Sequence, residues 1–113
     1  MEQQIKSGRI SSAMSFNQKV WTLCARVPAG KVVTYADIAK ALRSKGYRAV
    51  GNALNKNPYA PGVPCHRVVG SDGRLTGFAG GLPMKEQLLT DEGVRVNRGR
   101  ADLDCRHQLA PVG

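Results

Sequence analysis

Thr34-Tyr35-Ala36-Asp37-Ile38-Ala39-Lys40-Ala41-Leu42, then Arg43-Ser44-Lys45-Gly46, then Tyr47-Arg48-Ala49-Val50-Gly51-Asn52-Ala53-Leu54-Asn55, is the stretch that decides the fold. Thr34 with Asp37 three residues on reads as a helix N-cap, and Ala36, Ile38, Ala39 and Leu42 give that helix an apolar side. Ser44-Lys45-Gly46 reads as a tight turn into a second helix, Tyr47 to about Asn55, with Val50, Ala53 and Leu54 inward. Two short helices joined by a glycine-containing turn form a helix-turn-helix pattern. The outward face of the second helix holds Arg48, Asn52, Asn55 and Lys56, side chains suited to phosphates and base edges. A merely solvated face carries the same residues, so the pair alone leaves both readings open.

Upstream, Ser15 and Gln18 form a capping-box pattern, and Phe16, Val20, Leu23, Cys24 and Val27 recur at helical spacing. This helix ends at Pro28-Ala29-Gly30, and Lys31-Val32-Val33 is a short extended piece. Residues 1–14 are polar and irregular and are expected to be a flexible lead-in. The 113-residue chain has room for one modest core. Its formal net charge is +9, seventeen Lys+Arg against eight Asp+Glu, and its pI is about 10, which favours a polyanionic partner. No apolar run approaches the roughly 20 residues of a membrane span, and no signal-peptide core follows Met1. Cys24, Cys65 and Cys105 are odd in number, widely spaced and without a CxxC, against a disulfide framework or a zinc site. The expectation is a soluble, intracellular, basic domain without metal or cofactor.

Downstream, Asn57-Pro58-Tyr59-Ala60-Pro61-Gly62 must be loop. Pro64-Cys65-His66-Arg67-Val68-Val69 follows, a thiol on a stiff, extended approach beside an imidazole and a guanidinium. A cationic neighbourhood favours the thiolate, the nucleophilic form of cysteine. Val68-Val69 and Arg74-Leu75, around Gly70-Ser71-Asp72-Gly73, predict a small hairpin with an Asp-Gly turn. Gly77-Phe78-Ala79-Gly80-Gly81 is a glycine-rich loop. Pro83 opens a last helix through Met84, Leu88 and Leu89, and Gly93 ends it. A short Val94-Arg95-Val96 strand follows; the basic tail 97–113 has no readable fold.

Taken together, residues 16–96 resemble the C-terminal domain of the O6-alkylguanine-DNA alkyltransferases. Thr34-Tyr35, Tyr47-Arg48-Ala49-Val50-Gly51, Asn57-Pro58, Pro64-Cys65-His66-Arg67-Val68-Val69, Gly77-Phe78-Ala79-Gly80-Gly81-Leu82 and Lys85-Glu86…Leu88-Leu89…Glu92-Gly93 carry the resemblance, in family order. It implies an α+β, mainly helical fold, a winged helix-turn-helix over residues 15–96 with a small β-hairpin wing. The implied activity is direct reversal of DNA damage: an alkyl group leaves O6 of guanine for Cys65 in one irreversible turnover.

The family's roles map onto this sequence residue by residue. Cys65 would accept the alkyl group, His66 would take its proton through a water, and Glu92 would orient the imidazole. Asn57 would tie the recognition helix to the active-site loop. The target base must leave the stack, so Arg48 would fill the gap while Tyr35 acts on the 3′ phosphate and on N3 of the flipped guanine. Backbone groups of Cys65, Val68 and Ala79 would read the base edge, and Phe78 would wall the pocket. The implied partner is double-stranded DNA with O6-alkylguanine, bound through the minor groove by a monomer, with cooperative assembly left open. The implied location is the cytoplasm of a prokaryote or the nucleus of a eukaryote.

Three departures shape the expectation. Many family members carry a separate N-terminal domain, whereas this chain starts almost at the catalytic one. Phe78 stands where tyrosine is common. The Arg98-to-Asp104 tail is similar to that of the alkyltransferase-like proteins, which bind alkylated guanine without repairing it and recruit nucleotide excision repair. Those relatives usually lack a cysteine at the position of Cys65, so Cys65 favours the enzyme. A winged-helix regulator explains the charge and the helix pair but not the Cys65 stretch. A cysteine hydrolase has no second histidine and acid, since His107 lies in the tail. Cys24, on an apolar helix face, reads as a buried hydrophobe.

Overall fold

Side-chain caps start the two helices that frame the first half of the chain. The computed structural model describes residues 1–44, 46–60, 62–78 and 80–112. Ser15 Oγ accepts from Gln18 N at 3.2 Å and Ser15 N donates to Gln18 Oε1 at 2.9 Å, so α2 (Phe16–Ala25) begins where the capping box predicts. Thr34 and Asp37 make the same reciprocal pair at the head of α3 (Tyr35–Ala41). After Gly46 comes α4 (Tyr47–Asn55), with Val50, Ala53 and Leu54 buried as the spacing predicts. It packs on both α2 and α3. Trp21 of α2 adds a polar tie, its Nε1 donating to Ala53 O at 2.7 Å.

Two very short strands divide the interior. β1 (Val33–Thr34) and β2 (Val68–Val69) pair in parallel, Val33 opposite Val68 and Thr34 opposite Val69. Successive strand residues face opposite ways, and here both faces are covered. Val33 and Val68 join a larger core with Val20, Leu23, Ile38 and Val50, while Val69 joins a second core with Val32, Leu75, Leu89 and Val94. The ladder is thus a partition between two cores, and the Cys65 segment enters directly at its edge.

The hairpin expected over 68–75 is corrected by this pairing. The tight turn forms, with Gly73 N donating to Gly70 O and Gly70 N to Arg74 O, both at 2.9 Å. Val68 and Val69 are both fully buried, so they need a partner inside the protein, and β1 is there while Arg74 is exposed. Arg74 bridges Arg100 instead. The wing is therefore β3 (Val96–Asn97) antiparallel to β4 (Arg100–Ala101), with residues 73–75 added beside β4 through Ala101 N to Gly73 O (2.8 Å) and Leu75 N to Gly99 O (2.9 Å). The architecture is α+β and mainly helical, a helix-turn-helix pair with a small β wing.

Gly73 is fixed by this junction. Its φ is +88°, and a Cβ there would drive into the carbonyl oxygen of Ala101. Gly93, which ends α5 (Leu82–Asp91), has φ +92° but open space around it. Gly93→Ala should cost only the left-handed strain, about 1 kcal/mol. Gly73→Ala adds a backbone clash and should cost at least about 2 kcal/mol. Urea unfolding of both variants checks the order, and equal losses would refute the clash.

Both chain ends depart from expectation. Residues 1–14, read as a flexible lead-in, contain α1 (Glu2–Lys6), which packs on α2 and buries Ile5 completely. A few apolar side chains in a polar segment suffice: Ile5 and Met14 join the larger core and Ile10 packs against it. The tail forms β4, a 3-10 turn at Leu103–Cys105, and backbone pairs to β1 and α3: His107 N to Val32 O and Val112 N to Ala41 O, both 2.8 Å. Arg106 Nε donates to Asp37 Oδ2 at 2.9 Å, pinning the tail to the α3 cap. The strand expected at 94–96 lies at Val96–Asn97. No helix among the described residues is long and apolar enough to cross a membrane.

Candidate active site and nucleic-acid interface

Pro64 delivers the chain into a single 3-10 turn, Cys65–Arg67, closed by Arg67 N to Pro64 O at 3.0 Å. This corrects the extended approach expected for Cys65: the turn satisfies backbone groups locally that an extended segment would leave for another strand. Neighbouring side chains on a 3-10 turn project roughly 120° apart. Cys65 is half-buried, His66 is 4 % exposed, and Arg67 lies partly under the surface.

Behind the turn, one carboxylate organises two cations or potential cations. Glu92, the last residue of α5's C-terminal turn, accepts from Arg67 Nε at 2.9 Å through Oε1 and from Arg67 Nη2 through Oε2. Arg67 Nη1 also donates to Val27 O at 2.7 Å, so the guanidinium is held from three sides. His66 Nε2 lies 3.1 Å from Glu92 Oε1, yet it has no aligned hydrogen bond among the described residues. Burial pushes the His66 pKa down, beyond what Glu92 restores, so the imidazole is a neutral base near pH 7. Burial works to raise Glu92, but the Arg67 hydrogen bonds and the His66 imidazole beside it outweigh burial and hold its carboxyl below the usual range.

On its open side Cys65 lines a cavity of about 170 Å³ with Tyr35, Asn57, Gly77, Phe78 and Met84. Asn57 Nδ2 donates to Val63 O at 3.0 Å and its Oδ1 accepts from Tyr59 N at 2.9 Å. It joins the end of α4 to the loop before Cys65. Tyr35 stands between this cavity and a trench of about 330 Å³ lined by Arg48, Asn52, Asn55 and Gly77. Its hydroxyl donates to Thr76 O at 3.3 Å and accepts from Thr76 Oγ1 at 3.1 Å. Burial raises the phenol's pKa against the opposing Thr76 bond, so it is a proton donor at neutral pH. Lys56 is exposed just past α4 and lines neither space, and Ala79 lies outside the described residues. A larger hollow, about 540 Å³ between Asp37 and the tail, holds none of the expected site residues. Chemistry, not size, selects the Cys65 cavity.

The residue missed by sequence reading is Lys85. It is 0 % exposed, on the face of α5 that also buries Leu89. Its Nζ donates to Val68 O and Thr76 O, both at 2.7 Å, and sits 5.9 Å from the centroid of the Tyr35 ring. The Val68 carbonyl, expected to read a base edge, is therefore already an acceptor for Lys85. Burial lowers the lysine's pKa to about 8. The only sequence signal was position: Lys85 stands four residues before Leu89, on the inner stripe of its helix. Met84 of the same helix is 53 % exposed at the cavity mouth.

Comparison with known proteins places this geometry. A family model described as "6-O-methylguanine DNA methyltransferase, DNA binding domain" matches residues 15–94. A methylated-DNA–protein-cysteine methyltransferase of Methanosarcina mazei is 52% identical over 75 residues, 66% of this chain and 48% of that protein. The chain spans about half the length of the curated relatives it matches. The Mycobacterium tuberculosis OGT solved in complex with DNA is similar with a TM-score of 0.67 at 35% identity, covering 80% of this chain and 62% of that one. An S. pombe protein solved with damaged DNA containing O6-carboxymethylguanine has a TM-score of 0.72 at 28% identity, covering 83% of this chain and 95% of its own.

Proposed function

The chain belongs to the 6-O-methylguanine DNA methyltransferase family, matching its DNA-binding domain, and we propose that it repairs O6-alkylguanine in DNA by moving the alkyl group onto Cys65. The observation that carries the reading is the environment of the three thiols. Cys24 is fully buried and burial raises its pKa far above the ordinary thiol value. Cys105 lies in the tail with Sγ 3.0 Å from Asp102 O. Cys65 alone opens on a cavity shared with a phenol and an aromatic wall, with a neutral imidazole and its carboxylate next to it in the chain and behind it in space.

The chemistry then runs as a displacement. The Cys65 proton passes to His66, by way of a water because the two side chains diverge, and Glu92 stabilises the imidazolium. The thiolate attacks the alkyl carbon; an S–C bond forms and the C–O6 bond breaks. The electron pair returns to the purine while the Tyr35 hydroxyl donates a hydrogen bond to N3; the proton taken up by His66 passes through water to the base, which leaves as guanine with Tyr35 and His66 both neutral. The product is a thioether that no residue here can cleave, so the protein acts once. To present the base, the nucleotide leaves the stack at a cost of a few kcal/mol, and Arg48, exposed on α4 at the adjoining trench, occupies its place. Phe78 supplies the aromatic wall, and Asn52 on α4 and Lys56 just past its end contact the backbone. A minor-groove approach fits an interface that accepts any sequence around the lesion.

A second reading is favoured by the S. pombe structure, nearly all of which this chain covers: lesion binding without transfer, handing the site to excision repair. Incubation with a duplex holding one O6-methylguanine separates the two. The expected result is a gain of one CH2 in intact mass, mapped to the peptide with Cys65, and restored guanine. Tighter binding to the lesion than to plain duplex with no mass gain would reject the transfer reading.

A further inference from the structure

We propose that Lys6, on the N-terminal helix α1, is a positioning residue for alkyl transfer: it holds the loop 57–65 through the Tyr59 ring and so fixes where Cys65 stands. The inference rests on the transfer reading above and brings in residues 1–14, which lie outside the matched family segment of 15–94. It begins with a fixed platform. Ile5 is sealed in the larger core, and Arg26 Nε donates to Gly8 O at 2.8 Å, so the chain is tied down on either side of Lys6. The helix itself packs along α2.

From this platform Lys6 reaches the loop at two points. Its Nζ is 5.8 Å from the centroid of the Tyr59 ring, within the range of a cation–π contact. Glu2 Oε2, one turn back on the same helix, accepts from Nζ at 3.2 Å and steadies it there. The methylene stem covers the loop three residues further on: a Cβ on Gly62 would lie 3.2 Å from Lys6 Cε and 3.6 Å from Cδ. A lysine stem covers neighbouring surface in this way while its charged head stays in water.

Tyr59 carries the contact to the nucleophile. Its ring meets Trp21 edge-on, the centroids 5.8 Å apart, so it is held between α2 and Lys6. Its carbonyl accepts from Val63 N at 3.0 Å, and the Val63 carbonyl accepts from Cys65 N at 2.9 Å. Two hydrogen bonds therefore separate the residue held by Lys6 from the backbone of Cys65. Pro58, Ala60 and Gly62 are exposed, so among the described residues Tyr59 is the side chain that anchors this part of the loop to the body. Transfer needs Sγ in line with the alkyl carbon, where a displacement of about 1 Å costs on the order of 10²-fold in rate.

The test is single-turnover methyl transfer from a duplex with one O6-methylguanine, measured on the full chain across duplex concentrations. A partly loosened loop in Lys6→Ala should lower the rate at saturating duplex by about tenfold. The half-saturating concentration should stay within about twofold, because the DNA-facing residues are untouched. Lys6→Arg keeps a cation for the ring and should restore the rate. Trp21 is the one tryptophan of the chain, so its emission reports the Tyr59 ring against it. That emission should change in Lys6→Ala and return in Lys6→Arg. Tyr59→Leu should slow transfer as well, and adding Lys6→Ala to it should cost nothing more. A parent rate in Lys6→Ala, a loss that Lys6→Arg does not restore, or losses that multiply in the double variant would overturn the positioning role alone. No methyl uptake by the parent chain would overturn the transfer reading, and the role of Lys6 with it.

Discussion

Cys65→Ala is expected to take up no methyl from a lesion duplex, while folding normally and binding that duplex within about threefold of the parent. The full loss follows from the absence of a substitute nucleophile. Cys24 is sealed in the larger core, where burial keeps its thiol protonated. Cys105 sits beyond β4, and burial raises its pKa as well. Neither lines the cavity that holds Tyr35, Asn57 and Phe78. The small stability effect follows from partial exposure: removing one half-buried sulfur costs less than about 1 kcal/mol, far below the 2–5 kcal/mol of a core truncation. Binding persists because Arg48, Asn52 and the cavity wall are untouched. Intact-mass analysis and anisotropy titration of one preparation read both halves. Methyl found on Cys24 or Cys105 in this variant would remove Cys65 from its assigned role.

What the sequence made legible was local chemistry. Ser15 with Gln18 and Thr34 with Asp37 lie within one turn of each other, so residue identity alone fixes where two helices begin. The buried side of α4 was equally readable from the spacing of Val50, Ala53 and Leu54. Pairings across long sequence separations were not. Nothing near Val68 and Val69 says that their partners are Val33 and Thr34, because both β-branched pairs satisfy a hairpin pattern and a buried parallel ladder alike. The tail lacked periodicity, and its order comes from single backbone bonds to Val32 and Ala41 and from Arg106 on Asp37.

The candidate site divides the same way. Cys65, Tyr35, Asn57 and Phe78 do meet around one cavity. Glu92 was placed beside His66, the partner offered for a charge that is unfavourable at a helix C-terminus, but a neutral imidazole does not offset that charge. The structure supplies Arg67, whose bidentate bond neutralises the carboxylate and anchors it for the imidazole. Arg67 was visible beside Cys65 as a cation; that it turns away to Glu92 depends on the 3-10 turn, which periodicity over three residues cannot reveal. Lys85 was passed over because lysine is almost never fully buried.

Lys85→Met is expected to slow methyl transfer about 10²-fold and to abolish a rise in stability between pH 7 and pH 10. Lys85 ties Val68, three residues after the nucleophile, to Thr76, whose carbonyl also receives the Tyr35 hydroxyl. Without that tie the two walls of the cavity are free to shift, and a displacement of about 1 Å suffices for a loss of this size. At pH 7 the stability effects oppose each other. Methionine removes a desolvated ammonium but leaves Val68 O without a donor from the helix, at about 1–3 kcal/mol for an orphaned buried carbonyl. The pH dependence does not cancel. The folded pKa of about 8 lies below the ordinary lysine value of 10.5, so between these values the unfolded chain holds a proton that the native protein has released. Raising the pH through this window therefore favours the native state. A neutral amine still has two N–H groups for its two carbonyls, so the tie survives deprotonation. The stability advantage of the parent over Lys85→Met should widen by up to about 3 kcal/mol across the window. Tyr35 titrates in both proteins and cancels in the difference. Urea unfolding at pH 7, 8.5 and 10 measures it, and parallel curves for the two proteins would mean that Lys85 keeps its charge throughout and lies in water rather than under Val68 and Thr76.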